Sequence, residues 1–167
     1  MSTRTRNWLS LAIAVAVPMV AGGLGSLPTY QAVRTWYPKV RKPSWTPPSW
    51  VFGPVWATLY TLMGTASWLV WQEGWDRPKV RSAEALFGAQ LLLNALWTPI
   101  FFGQRAFGAA LAILVVLWGL IVATMVGFYR IRPLAGLLLA PYLLWVSYAS
   151  TLNTGVWWLN RGPGKSR

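Results

Sequence analysis

The chain has 167 residues, of which 55% are hydrophobic, and it carries 15 Lys and Arg against 3 Asp and Glu, for a net charge of +12. It contains neither cysteine nor histidine, which excludes disulfides, thiolate chemistry and Cys/His metal sites. The acids Glu73, Asp76 and Glu84 all fall in one predicted loop region, which argues against a buried carboxylate pair for acid–base catalysis.

Five long stretches of the sequence carry no charged residue. They are 7–33, 43–72, 85–104, 106–129 and 133–160. Each is long enough for a helix that crosses a bilayer, which needs about 20 apolar residues, and none shows the polar face of a soluble bundle helix. We therefore predict a single all-α domain over 1–167, a multi-pass integral membrane protein. Its five transmembrane helices are expected at about 8–27, 49–71, 84–102, 107–129 and 134–158.

The surplus of cations falls in the predicted loops and tails. Cations at such positions meet lipid phosphates, and no basic face or known nucleic-acid-binding fold accompanies them. Membrane lipid is therefore an expected partner, and nucleic acid is not.

The first predicted helix follows Arg4 and Arg6, a pattern that a secretory signal shares. Its apolar stretch is too long for a signal core and no Ala-x-Ala site follows, so we predict a helix that is retained. The connection over 28–48 is long and contains Trp36 and Tyr37 among several aromatic residues and prolines. Loops of this length are usually functional or disordered, and this composition argues against disorder. Its aromatic residues fit either an interfacial belt or a lid over a binding cavity.

The second helix follows a stretch of prolines and tryptophans. Thr46 and Pro47 read as an N-cap and a first helical residue, and Pro54 is expected to kink or loosen the first turns. Phe52, Trp56 and Tyr60 recur every four residues, so they share one face of the helix.

The third helix carries a polar stripe formed by Gln90, Asn94 and Thr98, with Trp97 on a neighbouring line. Amides facing lipid are costly, so the stripe is expected to face the interior of the bundle. Hydrogen bonding between helices and contact with a ligand both remain open for Asn94. Pro99 is expected to kink the end of this helix.

The last two helices show contrasting faces. The fourth has small residues at Gly119, Ala123 and Gly127, which permit close helix contact within one chain or between two. The fifth places an aromatic residue and an amide on one face, and Tyr142 and Tyr148 flank it. The members of that face are Trp145, Ala149 and Asn153.

Three predicted helices thus each offer a face with aromatic rings or amides. If these faces converge, they enclose an apolar pocket with a few polar anchors, as small-molecule sites do. Flat aromatic walls suit a flat conjugated ligand, and loop cations at the mouth suit a ligand with carboxylates.

Taken together, these motifs resemble the tryptophan-rich sensory protein and translocator protein family, also called peripheral-type benzodiazepine receptors. The resemblance covers nearly the whole chain. It rests on Arg34-Thr-Trp-Tyr37, Lys42-Pro-Ser-Trp-Thr-Pro-Pro48, Phe52 with Pro-Val-Trp56 and Leu59-Tyr60, Gln90-x3-Asn94-x2-Trp97-Thr-Pro with Phe101-Phe102, and Pro141-Tyr-x2-Trp145-x3-Ala149-x2-Leu-Asn153.

The resemblance implies a bundle of five helices, commonly a homodimer, with a cavity closed by the first loop. It implies binding of tetrapyrroles such as protoporphyrin IX or a haem-like molecule, as ligand rather than permanent cofactor, and of benzodiazepine-type compounds. Carried over by position, Trp56 and Asn94 contact the ligand with Trp97, Trp145 and Ala149, and Trp36 and Tyr37 lie in the lid.

The resemblance also leaves the activity open between a sensor or carrier, a small-molecule transporter, and a light- and oxygen-dependent enzyme that degrades protoporphyrin. The last activity implicates the positions of Trp56 and Trp145 in some bacterial members. In the proposed sterol motif of animal members, Thr154 and Trp158 replace the tyrosine and the cation, so sterol binding is not expected. The absence of cysteine fits a bacterial protein.

Overall fold

A computed structural model describes residues 3–161 of the chain and the side chains from residue 7 onward. The expectation of an all-α chain is confirmed, since the described residues form helices and contain no strand. The α-helices are α1 (Thr3–Gly25), α2 (Leu27–Thr35), α3 (Phe52–Trp71), α4 (Pro78–Thr98), α5 (Phe107–Ile131), α6 (Pro133–Leu137) and α7 (Ala140–Asn160). Short 3-10 turns cover Tyr37–Lys39 and Ser49–Val51, and a π-helical turn covers Pro99–Gly103.

The first connection, predicted over 28–48, is shorter in the structure than in the prediction. Helix α2 follows α1 after Ser26, with a proline in its first turn, so the non-helical part begins only at Trp36. Thr46 does not cap a helix: its hydroxyl and its amide both donate to the carbonyl of Pro43, closing a turn. Pro48 is extended, with φ −56° and ψ 145°, and this delays the start of α3. Pro54 then lies in the first turn of α3, where a missing backbone donor costs no hydrogen bond.

Helix α4 starts earlier than predicted, because Pro78 follows the extended residue Arg77 and has the fixed φ that a first helical residue needs. This start places Glu84 in the second turn of the helix and not at its first residue. At the other end, Pro99 opens the π-helical turn. The fifth predicted helix is divided between α6 and α7, with Pro133 and Pro141 in their first turns.

The helices form a closed ring in the order α1, α4, α5, α7 and α3, with α6 between α3 and α5. Glycines let the backbones approach. A Cβ atom on Gly64 of α3 would lie 2.5 Å from the carbonyl oxygen of Ala14, and one on Gly25 of α1 would lie 2.9 Å from that of Ala95. Of the predicted small-residue stripe on α5, Gly127 faces Ala83 of α4, whereas a Cβ atom on Gly119 would meet no other element within 4 Å. The homodimer therefore stays a prediction.

Four stretches of the described chain are long and apolar enough to cross a bilayer. They are Asn7–Thr35, Pro78–Gly103, Phe107–Ile131 and Pro133–Asn160. Helix α3 has 20 residues, a length of about 30 Å, but its tryptophans and threonines keep its mean hydropathy below that of the four stretches. The chain is an integral multi-pass membrane protein, and the fifth span remains a prediction.

Candidate functional site

A chain of hydrogen bonds joins three helices in the middle of the bundle. The hydroxyl of Tyr60 on α3 donates to Oδ1 of Asn94 on α4 at 3.0 Å. Nδ2 of Asn94 in turn donates to the hydroxyl of Tyr142 on α7 at 3.1 Å. Asn94 and Tyr142 are buried, with 6% and 1% of their surfaces exposed. The amide of Asn94 thus faces the interior, and here it connects helices.

Aromatic rings extend this cluster along α3. Trp56 stacks on Tyr60 with ring centroids 5.2 Å apart and meets the ring of Tyr142 edge-on at 6.3 Å. One turn nearer the start of α3, Phe52 meets Trp145 of α7 at 5.8 Å. The predicted faces of α3, α4 and α7 therefore converge, and their rings form an aromatic wall.

Gln90 lies one turn from Asn94 and is 1% exposed. Neither its Nε2 nor its Oε1 has a hydrogen-bond partner within the described part of the chain. A buried amide without partners costs about 1–3 kcal/mol, and buried polar groups in native proteins are rarely left in this state. Within the described part of the chain, Gln90 is thus a buried amide with unused hydrogen-bonding capacity.

A second cluster joins α4, the π-helical turn and α7. The indole of Trp97 donates to Oδ1 of Asn153 at 3.2 Å, and Nδ2 of Asn153 donates to the carbonyl of Phe107 at 2.7 Å. Trp97 also stacks on Phe101 at 5.0 Å. Asn153 therefore holds the end of α4 against the start of α5, and its amide is already used by the protein.

The aromatic residues of the first loop cover this second cluster. Trp36 packs on Phe102 and Phe107, with centroids 6.4 and 6.2 Å apart, and Tyr37 lies 5.1 Å from Phe102. The guanidinium of Arg105 lies 4.7 Å above the ring of Trp36. Burial raises the pKa of the Tyr37 phenol. Trp36 and Tyr37 are therefore part of a packed cover, whereas Trp45 of the same loop is exposed.

The rest of that loop runs antiparallel along α7, and we call residues 41–45 the strap. Its first residue pairs through its backbone with Asn160, whose Nδ2 donates to the carbonyl of Arg41 at 2.9 Å. At its other end, the hydroxyl of Tyr148 donates to the carbonyl of Trp45 at 2.7 Å. Between these bonds a Cβ on Gly155 would collide with the ring of Pro43. The strap therefore follows α7 over about three turns.

Two cavities lie outside the central cluster. A groove of about 790 Å³ lies between the strap and α7, and a cavity of about 440 Å³ lies near the start of α1 and the end of α3. Trp56, Asn94 and Trp145 line neither of them. In this structure the rings of the central cluster contact one another, so a planar ligand would have to separate Trp56 from Tyr60.

The structure thus distributes the predicted site residues over two neighbouring clusters. Phe52, Trp56, Tyr60, Asn94 and Trp145 meet in the central one, with Gln90 one turn from Asn94, and Trp97 and Asn153 meet beneath the cover formed by Trp36 and Tyr37. Ala149 is half-buried, one turn after Trp145.

Two residues of interest were not assigned to the interior from the sequence. Tyr142 completes the hydrogen-bonded chain. Its position beside the predicted face of Trp145 was the sequence signal that could have identified it. Glu84 accepts a hydrogen bond from the hydroxyl of Ser67 at 2.9 Å, and its Oε1 is buried without a partner in the described residues. Because Glu84 lies at the edge of the charged loop in the sequence, we did not expect it in the interior of the bundle.

The fold and these clusters define a class: an integral membrane protein whose spans enclose aromatic rings joined by side-chain amides. The model of the TspO/MBR family matches residues 14–159. The chain is 43% identical over 152 residues to the tryptophan-rich protein TspO of Chlorobaculum tepidum, covering 91% of this chain and 96% of the relative. It is 42% identical over 157 residues to the translocator protein of Sus scrofa, covering 93% and 92%, and 49% identical over 128 residues to that of Homo sapiens, covering 76% of each. The chain belongs to the TspO/MBR family.

Proposed function

We propose that the protein is a membrane sensor or carrier that binds a flat, conjugated tetrapyrrole between Trp56 and Tyr60, beside Trp145. The observation that carries the proposal is Gln90, whose buried amide has no partner in the described residues although it lies one turn from Asn94. A ligand with polar edges would supply the missing hydrogen bonds.

The shape of the site favours a planar guest. Trp56 and Tyr60 are stacked, and an inserted aromatic ligand would replace that contact with two faces of its own, each worth about 1 kcal/mol beyond area burial. Asn94 and Tyr142 offer polar groups at the edge of the same space. The space that an inserted ligand would open therefore combines apolar walls with a few fixed polar groups, as ligand sites do.

Charge at the covered end of the bundle favours an acidic ligand. Arg105 and Lys42 lie over the rings of Trp36 and Tyr37, whereas Glu73 pairs with Arg77 and Arg132 near the opposite ends of the helices. Carboxylate side chains such as those of a porphyrin would meet cations at the cover. These cations support entry or anchoring of the ligand at that end.

A light-dependent reaction is a second candidate, and Trp56 and Trp145 favour it because both indoles flank the proposed position of the ligand. A porphyrin excited by light brings its own chemistry with oxygen. The protein would then hold the ring system and supply electron-rich neighbours.

Titration of the purified protein with protoporphyrin IX in the dark tests the binding proposal. We expect saturable quenching of tryptophan fluorescence, and we expect Trp56→Leu and Asn94→Ala each to weaken binding about tenfold through the loss of a stacking face or a polar anchor. Trp71→Leu is the matched control, because Trp71 lies exposed at the other end of the same helix, and it should change the affinity less than about twofold.

Equal affinity for wild type, Trp56→Leu and Asn94→Ala would reject the proposed pocket. Illumination in the presence of oxygen separates the second candidate. A product that forms with wild type, but not with a Trp145→Phe variant that still binds, would indicate a reaction that depends on the protein.

A further inference from the structure

The groove of about 790 Å³ beside the strap is separate from the central cluster. Its walls come from the strap and from the last three turns of α7. Its lining residues are Lys42, Pro43, Ser44, Trp45, Ser150, Thr151, Thr154, Gly155, Trp158 and Leu159. Trp45 and Trp158 are 56% and 61% exposed, so the groove is open toward the surroundings of the bundle.

The lining is amphipathic. Tryptophan, proline and leucine side chains make most of its surface, and hydroxyls of Ser44 and Thr151 interrupt them. Lys42 belongs to the lining, and its ammonium group lies 4.6 Å above the ring of Tyr37 beside the groove. The guanidinium of Arg161 stacks 3.3 Å above the ring of the lining residue Trp158. None of the lining residues is acidic. The groove thus offers an apolar bed with cations beside it.

The groove also lies at the level where a bilayer changes from hydrocarbon to headgroups. The span over Pro133–Asn160 ends here, and exposed tryptophans at the end of a span mark the interface. Arginine and lysine at that depth attract anionic headgroups. A lipid at this position would place its acyl chains against α7 and its phosphate near the cations.

We propose that the groove binds one anionic phospholipid, with its phosphate held by Lys42 and Arg161 and its acyl chains lying along Thr151, Gly155 and Trp158. Both walls are needed, because the strap provides Lys42 and α7 provides the apolar bed. The bound lipid packs against the strap and stabilises its position along α7. The site does not depend on the binding of a tetrapyrrole.

Native mass spectrometry of the full chain tests this proposal, with phosphatidylglycerol and phosphatidylcholine of identical acyl chains added at equal concentration to delipidated protein. We expect one retained phosphatidylglycerol and a clear preference over phosphatidylcholine. Each cation near an anionic headgroup contributes about fivefold to such a preference, so Lys42→Gln with Arg161→Gln should reduce it about 25-fold. The groove-filling variant Thr154→Phe should reduce retention of both lipids.

The matched control replaces Arg81 and Arg130 with glutamine, because both are exposed cations at the opposite end of the bundle. This control should keep the preference of wild type. Should the double variant in the groove fail to fold, Arg161→Gln alone, at an exposed helix end, should still lower the preference about fivefold.

Four results would overturn the proposal. Wild type could retain the two phospholipids equally, the control pair could lower the preference as much as the groove pair, or cholesterol could displace phosphatidylglycerol from wild type at equal concentration. Retention of glycerol phosphate in place of the lipid would also contradict it, because the apolar bed would then have no part in binding.

Discussion

Asn94→Leu is expected to lower the free energy of unfolding by about 3 kcal/mol, because the buried hydroxyl of Tyr142 and the partly buried hydroxyl of Tyr60 lose their common partner. Leucine has the branched shape of asparagine and is not smaller, so it leaves no cavity, and the effect comes from the lost hydrogen bonds to Tyr60 and Tyr142. Titration of the purified protein with SDS in mixed micelles, followed by circular dichroism, measures the change.

Ser147→Ala is the control for this measurement. Its hydroxyl accepts a hydrogen bond from the indole of Trp118 at 2.9 Å, but this contact is exposed on the outside of the bundle. We expect a change within about 0.5 kcal/mol, as for most surface substitutions. If Asn94→Leu is no more costly than Ser147→Ala, the central hydrogen-bonded chain does not hold the helices together.

Gly64→Val is expected to destabilise the bundle by about 3 kcal/mol or more, because the added side chain would overpack the contact between α1 and α3. A Cβ atom at residue 64 would lie 2.5 Å from backbone atoms of Ala14 and Val15. Backbone atoms cannot rotate away as a side chain can, so the two helices must separate. The same SDS titration should show an earlier unfolding transition.

Gly88→Val provides a close match, since Gly88 also lies inside a predicted span and a Cβ there would meet nothing within 4 Å. Both substitutions change the intrinsic helix propensity by the same amount. A similar loss of stability in both variants would show that propensity, and not the approach of α1 to α3, determines the effect.

Local spacing predicted much of the central cluster. The four-residue interval between Trp56 and Tyr60 places their rings on one helix face, and the structure stacks them. The cost of an amide in lipid predicted that Asn94 faces inward, and it is buried. Both inferences depend only on helix geometry and on the solvent around the helix, so one sequence was enough.

The remaining features depend on contacts between distant segments. The pairing of Asn160 with Arg41 joins residues 119 positions apart, and periodicity carries no information about such a pair. The continuation of α1 into α2 and the early start of α4 changed the expected loops, because prolines that read as breaks serve as first-turn residues. Tyr142 was not assigned to the interior from the sequence, because its hydrogen-bond partner Asn94 lies on another helix.

An experimental structure of the protein with protoporphyrin IX bound would test the central claim most directly. The account predicts that the macrocycle separates Trp56 from Tyr60, faces Trp145, and brings a polar group within hydrogen-bond distance of Asn94 or Gln90. A macrocycle bound in the groove beside the strap, or on the lipid-facing surface with the Trp56–Tyr60 stack intact, would contradict it.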